Sequence, residues 1–289
     1  MSTFKFKICY IFKKYLGISI WRYYFKSYLK EIKIITQREY DNVKKEEKSR
    51  QVWTMWLQED IPEVCQVCIN KIKEYYPNAI VITEKNIREF VNIPEIIWQK
   101  YKQKKMMPAL FSDYIRMCLL DKYGGLWIDA TCFLTQKIPE YIWKASFFIM
   151  KENKKVGFSN YFIYSDSNNY LAKMIKNFLE QYWLKEDKEP MYFFYHYFVR
   201  ILVENDKKAR ECWDNIPIGL NLNTKLFSKI LFNDYDEDIF NWLNSTSFLH
   251  KLTYKKIAEN DTNPNSYYRY IMKTYGKEII PQNNSLSPQ

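Results

Sequence analysis

One stretch constrains the fold of this chain more than any other: residues 107–135, which read MPALFSDYIRMCLLDKYGGLWIDATCFLT. Its early proline and the helical spacing of its apolar residues predict a helix over Pro108–Tyr123. The Gly124–Gly125 pair predicts a helix end with left-handed backbone. Residues 126–128 then predict a short buried strand that leads directly into Asp129. Because ligands of open α/β sheets bind beyond the carboxyl ends of the strands, Asp129 is a candidate site residue.

Two charged residues lie inside the predicted helix. Asp113 and Arg116 are three positions apart, so they share a helix face that is otherwise apolar. Charges are seldom buried without partners, and two interpretations stand. In the first, Ser112 or Asp113 lies near the helix cap and Arg116 pairs with Asp113. In the second, both charges face a polar ligand held against Asp129.

The string SDYIRMCLLDKYGGLWIDA resembles the S-D-x-x-R…Y-G-G-[IL]-[YW]-[IL]-D-x-[DT] block of glycosyltransferase family 32 and related enzymes. The bacterial capsular polysaccharide synthesis branch is the most similar. The resemblance implies an α/β fold of GT-A type: a Rossmann-like, mixed, mainly parallel sheet flanked by helices. It also implies a nucleotide-sugar donor and a divalent cation, Mn²⁺ or Mg²⁺. Carried over by position, Asp129 holds the metal and the diphosphate, and Asp113 and Arg116 hold the sugar; these three are the predicted catalytic residues.

The chain departs from the Asp-x-Asp form of the motif, because it reads Asp129-Ala130-Thr131. A hydroxyl can replace a carboxylate at a hard cation, or orient a water, with less charge. Thr131 is therefore a predicted metal residue beside Asp129. The departure also keeps a second hypothesis open: a non-catalytic, membrane-associated scaffold of a polysaccharide assembly complex, with a degenerate metal motif.

Three other segments resemble the family. VWTMWLQ resembles its first strand, where Trp56 would stack on the donor base; a core tryptophan is the alternative. GFSNYF resembles the strand bordering the donor and acceptor clefts and makes Asn160 a candidate, although a turn asparagine fits equally well. SFLHKLT resembles the closing H-K-L-T motif, where His250 would meet the metal and Lys251 would offset charge on the departing nucleotide. The predicted donor-binding residues are Trp56, Asp113, Arg116, Tyr123, Gly124, Gly125, Asn160 and Lys251; the predicted metal residues are Asp129, Thr131 and His250.

The first thirty residues carry seven lysines and arginines, no acid, and many interleaved apolar and aromatic residues. A transmembrane helix needs roughly 20 mostly apolar residues, which this segment lacks. The composition favours a helix lying on an anionic membrane surface. A helix packed on its own domain or on nucleic acid is the alternative, but no nucleic-acid-binding motif is present. We therefore expect a cytoplasmic protein, peripheral on the inner face of the plasma membrane, with no nucleic-acid partner.

The expected organisation has three parts. Residues 1–50 form the basic amphipathic appendage and its linker, in which the mixed charges of residues 31–50 predict an exposed helix. Residues 51–260 form the GT-A glycosyltransferase domain, which opens with a strand, a helix over 61–76 and a second strand. Residues 261–289 form a tail whose aromatic-basic segment is either a second membrane contact or a capping helix.

Some polar residues point to packing or to solvent instead. Cys65 and Cys68 form a C-x-x-C without a second pair; since zinc needs about four ligands, core packing is the better interpretation. His196 lies in an aromatic helix and is expected in the core. Lys100, in a helix predicted over residues 93–104, is expected to be solvated.

The expected function is transfer of a sugar from a nucleotide-sugar donor, UDP-linked, to a lipid-linked or surface-polysaccharide acceptor, with retention of configuration as the resemblance implies. The sequence contains no P-loop, no G-x-G-x-x-G and no G-x-S-x-G motif. Their absence argues against kinase, dehydrogenase and hydrolase classes.

Overall fold

The structure is a computed structural model that describes residues 18–41, 47–151, 157–191, 193–217 and 224–276, with side chains from Tyr23 onward. The helices are α1 (Ile18–Asp41), α2 (Glu63–Tyr75), α3 (Ile87–Phe90), α4 (Glu95–Lys102), α5 (Pro108–Tyr123), α6 (Glu140–Lys144), α7 (Tyr170–Lys185), α8 (Phe194–Asn205), α9 (Lys207–Asp214), α10 (Leu226–Ile230), α11 (Glu237–Thr246), α12 (Ile257–Asn260) and α13 (Tyr267–Tyr275). The strands are β1 (Val52–Met55), β2 (Ile80–Ile82), β3 (Gly125–Ile128), β4 (Cys132–Leu134), β5 (Phe147–Lys151), β6 (Phe158–Ser165) and β7 (Leu249–Lys251).

These elements form a mixed α/β fold with a sheet flanked by helices, as predicted, whereas the GT-A type stays a prediction. The main sheet has five strands in the order β2-β1-β3-β6-β5. Strands β1 and β3 are parallel, with Val52 opposite Leu126, whereas β5 and β6 are antiparallel. Strands β4 and β7 form a separate antiparallel pair, in which His250 lies opposite Phe133.

The described residues divide into two compact units. Unit 1 takes its described residues from Met1–Trp53, Glu84–Trp127 and Pro139–Gly219. Unit 2 takes its described residues from Thr54–Thr83, Ile128–Ile138 and Leu220–Gln289. The predicted division of the chain into three parts, with boundaries at residues 50 and 260, stays a prediction.

The glycine pair after α5 has the backbone that the sequence predicts. Gly124 and Gly125 have φ angles of +63° and +97°, in the region that favours glycine. A Cβ on Gly125 would lie 2.2 Å from the carbonyl oxygen of Gln51, and one on Gly124 would lie 2.6 Å from the amide nitrogen of Ser167. The main chain of this turn therefore approaches its neighbours too closely for any side chain. The predicted helix over Pro108–Tyr123 is confirmed at both ends.

Helix α1 packs on unit 1 through its apolar face. Phe25 and Ile32 are fully buried, and the ring of Phe25 lies edge-on to Phe178 of α7 with centroids 5.6 Å apart. Thr36 is also buried, and its hydroxyl accepts a hydrogen bond of 3.0 Å from Asn177.

The prediction of an exposed linker helix is thus wrong for the described part of residues 31–50. The alternative, a helix packed on its own domain, holds from Phe25 onward. Residues 1–17 and 42–46 lie outside the described residues, so membrane binding by the first residues stays a prediction. No helix in the described part of the chain is long and apolar enough to cross a bilayer.

The prediction that Lys100 is solvated is wrong. Its ammonium is buried and donates to the carbonyl oxygens of Trp183 (2.6 Å) and Glu186 (2.9 Å), at the end of α7. Helix α4 packs against α7, so the lysine can donate hydrogen bonds to carbonyl groups that have no hydrogen-bond donor within the helix at its end.

The core of unit 2 forms where α2, β4 and α13 meet. Cys65 and Cys68 are fully buried there, as the sequence predicts, and burial raises the pKa of the Cys65 thiol to about 12. Tyr267 and Ile271 of α13 belong to the same core. The aromatic-basic segment near the C-terminus therefore serves as a capping helix on unit 2.

Candidate functional site

The predicted sugar-binding residues of unit 1 form one hydrogen-bonded group, the Asp113 cluster, made of Ser112, Asp113, Arg116 and Asn160. Arg116 pairs with the carboxylate of Asp113 at 3.1 Å, and the Asn160 amide donates to the same oxygen at 2.9 Å. The guanidinium also donates to the Ser112 hydroxyl at 3.1 Å and to the main-chain oxygen of Asn160. Asp113 and Arg116 are 8% and 4% exposed, so the pair is held almost without water.

Local structure explains how these residues meet. Helix α5 begins at Pro108, with Met107 at its cap and no side-chain cap, so the interpretation of Ser112 or Asp113 as a capping residue is wrong. The predicted Asp113–Arg116 pair is confirmed. Asn160 lies inside β6, where the pairing with β5 shifts register, so the turn alternative is wrong as well. Such irregularities redirect side chains out of the regular sheet pattern.

Aromatic residues surround the Asp113 cluster. The Arg116 guanidinium lies over the Trp127 ring, 5.0 Å from its centroid. Tyr195 is buried nearby; burial raises the pKa of its hydroxyl, and the charge of Asp113 raises it further. Sequence reasoning missed Ser112 as a hydrogen-bond partner of Arg116 and Tyr195 as a buried neighbour of Asp113. Ser112 carried a signal, since it opens the S-D-x-x-R motif, but nothing in the sequence marks Tyr195.

A second group, the Asp129 cluster, lies in unit 2 and consists of Asp129, Thr131 and Lys251. The Lys251 ammonium donates to the Asp129 carboxylate at 2.7 Å and to the Thr131 hydroxyl. The main chain aligns the two segments, because the amide of Leu252 donates to the carbonyl oxygen of Thr131 at 2.8 Å. The side chains of Lys251 and Asp129 are 25% and 23% exposed, which leaves the pair accessible to a ligand.

An aromatic pair lies beside this cluster in unit 2. Trp56 is half-buried and packs on a small apolar group that includes Ala130, the central residue of the Asp-Ala-Thr motif. Its ring meets Tyr254 edge-on, with centroids 5.2 Å apart, and its indole N–H donates to the carbonyl oxygen of Asp60 at 3.0 Å. Tyr254 is 40% exposed. Sequence reasoning missed Tyr254, although it directly follows the H-K-L-T segment.

His250 is not brought together with the Asp129 cluster. Successive side chains of a strand point to opposite faces, and His250 precedes Lys251 on β7. Its ring is fully buried and lies edge-on to Phe227, at 5.1 Å between centroids. Neither ring nitrogen has a hydrogen-bond partner within the part of the chain that the structure describes. Burial lowers the pKa of His250 to about 4.

We expect this histidine to make the stability of the protein depend on pH. The unfolded chain binds a proton at His250 below a pH of about 6.5, whereas the folded chain excludes it until about pH 4. Stability is therefore lost as the pH falls through this interval, by about 3 kcal/mol at this residue. Urea unfolding of wild type and His250→Leu between pH 7 and pH 4 should show a shallower decline for the variant. Equal declines would contradict the neutral, buried state of the imidazole.

Three predicted donor-binding residues occupy packing positions in unit 1. The Tyr123 ring contacts Trp53, with centroids 5.5 Å apart, and its hydroxyl donates to the carbonyl oxygen of Phe90 at 3.1 Å. The carbonyl oxygen of Gly124 accepts a hydrogen bond of 2.9 Å from the Trp53 indole. Together with Gly125 these residues fix the turn after α5, and their predicted contact with a donor stays a prediction.

Within the described residues, the Asp129 cluster fits the divalent cation that the resemblance implies poorly, because its one carboxylate is paired with the Lys251 ammonium. Mg²⁺ is usually held by one or two carboxylates, with waters and substrate phosphates completing about six oxygen ligands, so the carboxylate must be free to bind it. Here one carboxylate and one hydroxyl already accept hydrogen bonds from the Lys251 ammonium, which would repel a dication. Among the described residues, no group of three or more His, Cys, Asp or Glu side chains could hold a metal ion.

A charged cluster after the carboxyl end of a sheet strand, in a mixed α/β fold, is typical of α/β proteins that bind polar ligands. The sequence model of the family described as "capsular polysaccharide synthesis protein" matches residues 12–271. The chain belongs to the capsular polysaccharide synthesis protein family. A search of curated proteins gave no significant match.

Proposed function

We propose that this protein is a glycosyltransferase of GT-A type, related to glycosyltransferase family 32, which moves a sugar from a nucleotide-sugar donor, UDP-linked, to a lipid-linked or capsular polysaccharide acceptor. The observation that carries the proposal is the Asp129 cluster, accessible and lying beside the Trp56–Tyr254 pair. A fixed charge near a partly exposed aromatic pair matches the two chemical parts of a nucleoside diphosphate. Membership of a capsular polysaccharide synthesis family supports the same conclusion.

The chemistry of the reaction explains why such a cluster is needed. Breaking the bond between sugar and phosphate develops negative charge on the nucleoside diphosphate and positive charge on the sugar. A preorganised cation at the diphosphate stabilises the first of these charges. The aromatic pair offers a surface on which a base can stack.

The Asp113 cluster is proposed to bind the hydroxyl groups of the donor sugar. A carboxylate, a guanidinium and an amide supply both donors and acceptors, as hydroxyl groups require. Because the four residues hold one another by hydrogen bonds, they are positioned before any ligand arrives. Such preorganisation lowers the cost of orienting a substrate.

The acceptor and the location are proposed from the family and from the charge of the chain. The acceptor is proposed to be lipid-linked or a capsular polysaccharide. The basic, aromatic N-terminal residues are proposed to bring the protein to the inner face of the plasma membrane. The net charge of +11 suits an anionic surface. Retention of configuration is proposed from the resemblance.

The proposal is tested by release of nucleoside diphosphate from a panel of nucleotide sugars, with and without Mn²⁺. We expect one donor to be hydrolysed slowly without acceptor, and Asp113→Asn to reduce this release by about 100-fold, since one misplaced group commonly costs that much. Glu95→Gln, which removes an exposed carboxylate of unit 1 that pairs with Arg88, is the matched control and should leave the rate unchanged. If no nucleotide sugar is hydrolysed or raises the melting temperature, the non-catalytic scaffold is the better description.

A further inference from the structure

We propose that Lys251, held by Asp129, is the fixed cation that binds the diphosphate of the donor, and that this binding requires no divalent metal ion. The inference rests on the proposed function and identifies the charge that the diphosphate meets there. Asp129 becomes a positioning residue for Lys251 instead of a metal ligand.

The position of the ammonium is set by the main chain at both ends of the contact. In the ladder of β4 and β7, Lys251 lies opposite Cys132, and its own amide donates to the carbonyl oxygen of Thr224 at 2.8 Å. The Asp-Ala-Thr segment precedes β4 and is tied to β7 through the hydrogen bond between Leu252 and Thr131. The ammonium therefore meets Asp129 because two strands are in register, not because a flexible side chain happens to reach it.

The same contact explains why a dication is disfavoured. A metal bound to the Asp129 carboxylate would have to share that group with the Lys251 ammonium, which donates to its Oδ2 oxygen at 2.7 Å. It would then face the positive charge of the ammonium, whose strand holds it nearby. The cluster supplies one carboxylate and one hydroxyl, and the Lys251 ammonium donates a hydrogen bond to each of them.

The ammonium can serve the chemistry for which such a metal is used. Lysine binds phosphate oxygens as a compact point charge, through charge-assisted hydrogen bonds. A quarter of the Lys251 side chain is exposed, so a phosphate oxygen can reach it while the carboxylate of Asp129 keeps its hydrogen bond. The exposed edge of Tyr254, three residues further along the chain, places an aromatic surface on the same segment.

The test is the affinity of the full chain for nucleoside diphosphates, measured by titration calorimetry in EDTA and in Mn²⁺. UDP, GDP, CDP and ADP are compared, and the tightest is used with the variants. We expect its affinity in the two buffers to agree within about threefold, which is under 1 kcal/mol. Lys251→Met should weaken binding by about 10–100-fold in both buffers, the range of a hydrogen bond to a charged group.

Lys255→Met is the matched control, because it removes an exposed lysine of the same segment, and its affinity should equal that of wild type. Asp129→Asn, which keeps an acceptor oxygen, should weaken binding less than Lys251→Met does. Titration of Mn²⁺ alone should give no binding.

Two results would overturn this inference and leave the proposed function standing. One is a diphosphate affinity of wild type that rises more than about tenfold when Mn²⁺ replaces EDTA. The other is stoichiometric binding of Mn²⁺ to wild type that disappears in Asp129→Asn. If none of the four diphosphates binds in either buffer, both fall. Should Lys251→Met fail to fold, the two-buffer comparison of wild type and the Mn²⁺ titration decide.

Discussion

Replacing Arg116 by lysine should nearly abolish the proposed sugar transfer, although the positive charge is kept. The guanidinium joins Ser112, Asp113 and Asn160 through several hydrogen bonds in a fixed plane, which an ammonium on a flexible stem cannot reproduce. We expect a loss of activity of about 100-fold from the misplaced cluster. We also expect a loss of stability of about 1–3 kcal/mol, because buried partners lose their hydrogen bonds.

Unit 1 contains a matched control for this variant. Arg88 pairs with Glu95 at 2.8 Å and lies over the ring of Trp98. Arg116 has the same two kinds of partner, a carboxylate and a tryptophan ring. The difference is exposure, because the side chains of Arg88 and Glu95 are both more than half exposed. Arg88→Lys should change stability by less than about 1 kcal/mol and leave activity intact. The two variants are compared by their rates of nucleoside diphosphate release and by their free energies of unfolding in urea. Equal effects of the two substitutions would show that the Asp113 cluster has no special role.

Replacing Gly125 by alanine should have the largest effect on folding. The residue has a φ of +97°, and its new Cβ would lie 2.2 Å from the main-chain oxygen of Gln51, which cannot move as a side chain could. The pairing of β1 and β3 begins at this point, because the amide of Leu126 donates to the same oxygen at 2.8 Å. We expect a destabilisation of more than about 4 kcal/mol, in the range of severe single substitutions.

The measurement is the yield of folded protein and, where it suffices, the free energy of unfolding in urea. Lys122→Ala, an exposed position three residues earlier in the last turn of α5, is the control and should change stability little. A Gly125→Ala protein with wild-type stability would mean that the strand does not require the left-handed backbone.

The sequence predicts best where local residues leave no alternative. Pro108 and the glycine pair set both ends of α5, and the short apolar run after the glycines forms the predicted buried strand. The predictions of this helix and of this strand are therefore confirmed. Residues with mixed surroundings are harder. Ile32 lies among charged residues, and its burial depends on where α7 packs, which no local pattern contains. The prediction that Lys100 is solvated was wrong for the same reason. The carbonyl groups that accept its hydrogen bonds lie more than eighty positions away in the sequence.

The candidate site divides in the same way. The Asp113–Arg116 pair is local, since the two residues lie one helical turn apart, and its prediction is confirmed. The contact of Lys251 with Asp129 joins residues 122 positions apart and depends on the pairing of β4 with β7. The resemblance identified Lys251 and Asp129 as candidate site residues, but it did not predict the ion pair between them. The resemblance also placed His250 at the metal, whereas the structure buries it against Phe227, because adjacent residues of a strand face opposite environments.

The short pairing of β4 with β7 couples two requirements that are usually independent. One face of β7 buries an imidazole in the core of unit 2, and the other face presents an ammonium to Asp129. A shift of β7 by a single position would exchange them, leaving a cation in the apolar interior and a neutral ring at the surface. Good packing of that interior and correct placement of the charge therefore depend on the same strand register, and a substitution that loosens the interior also affects the proposed ligand site.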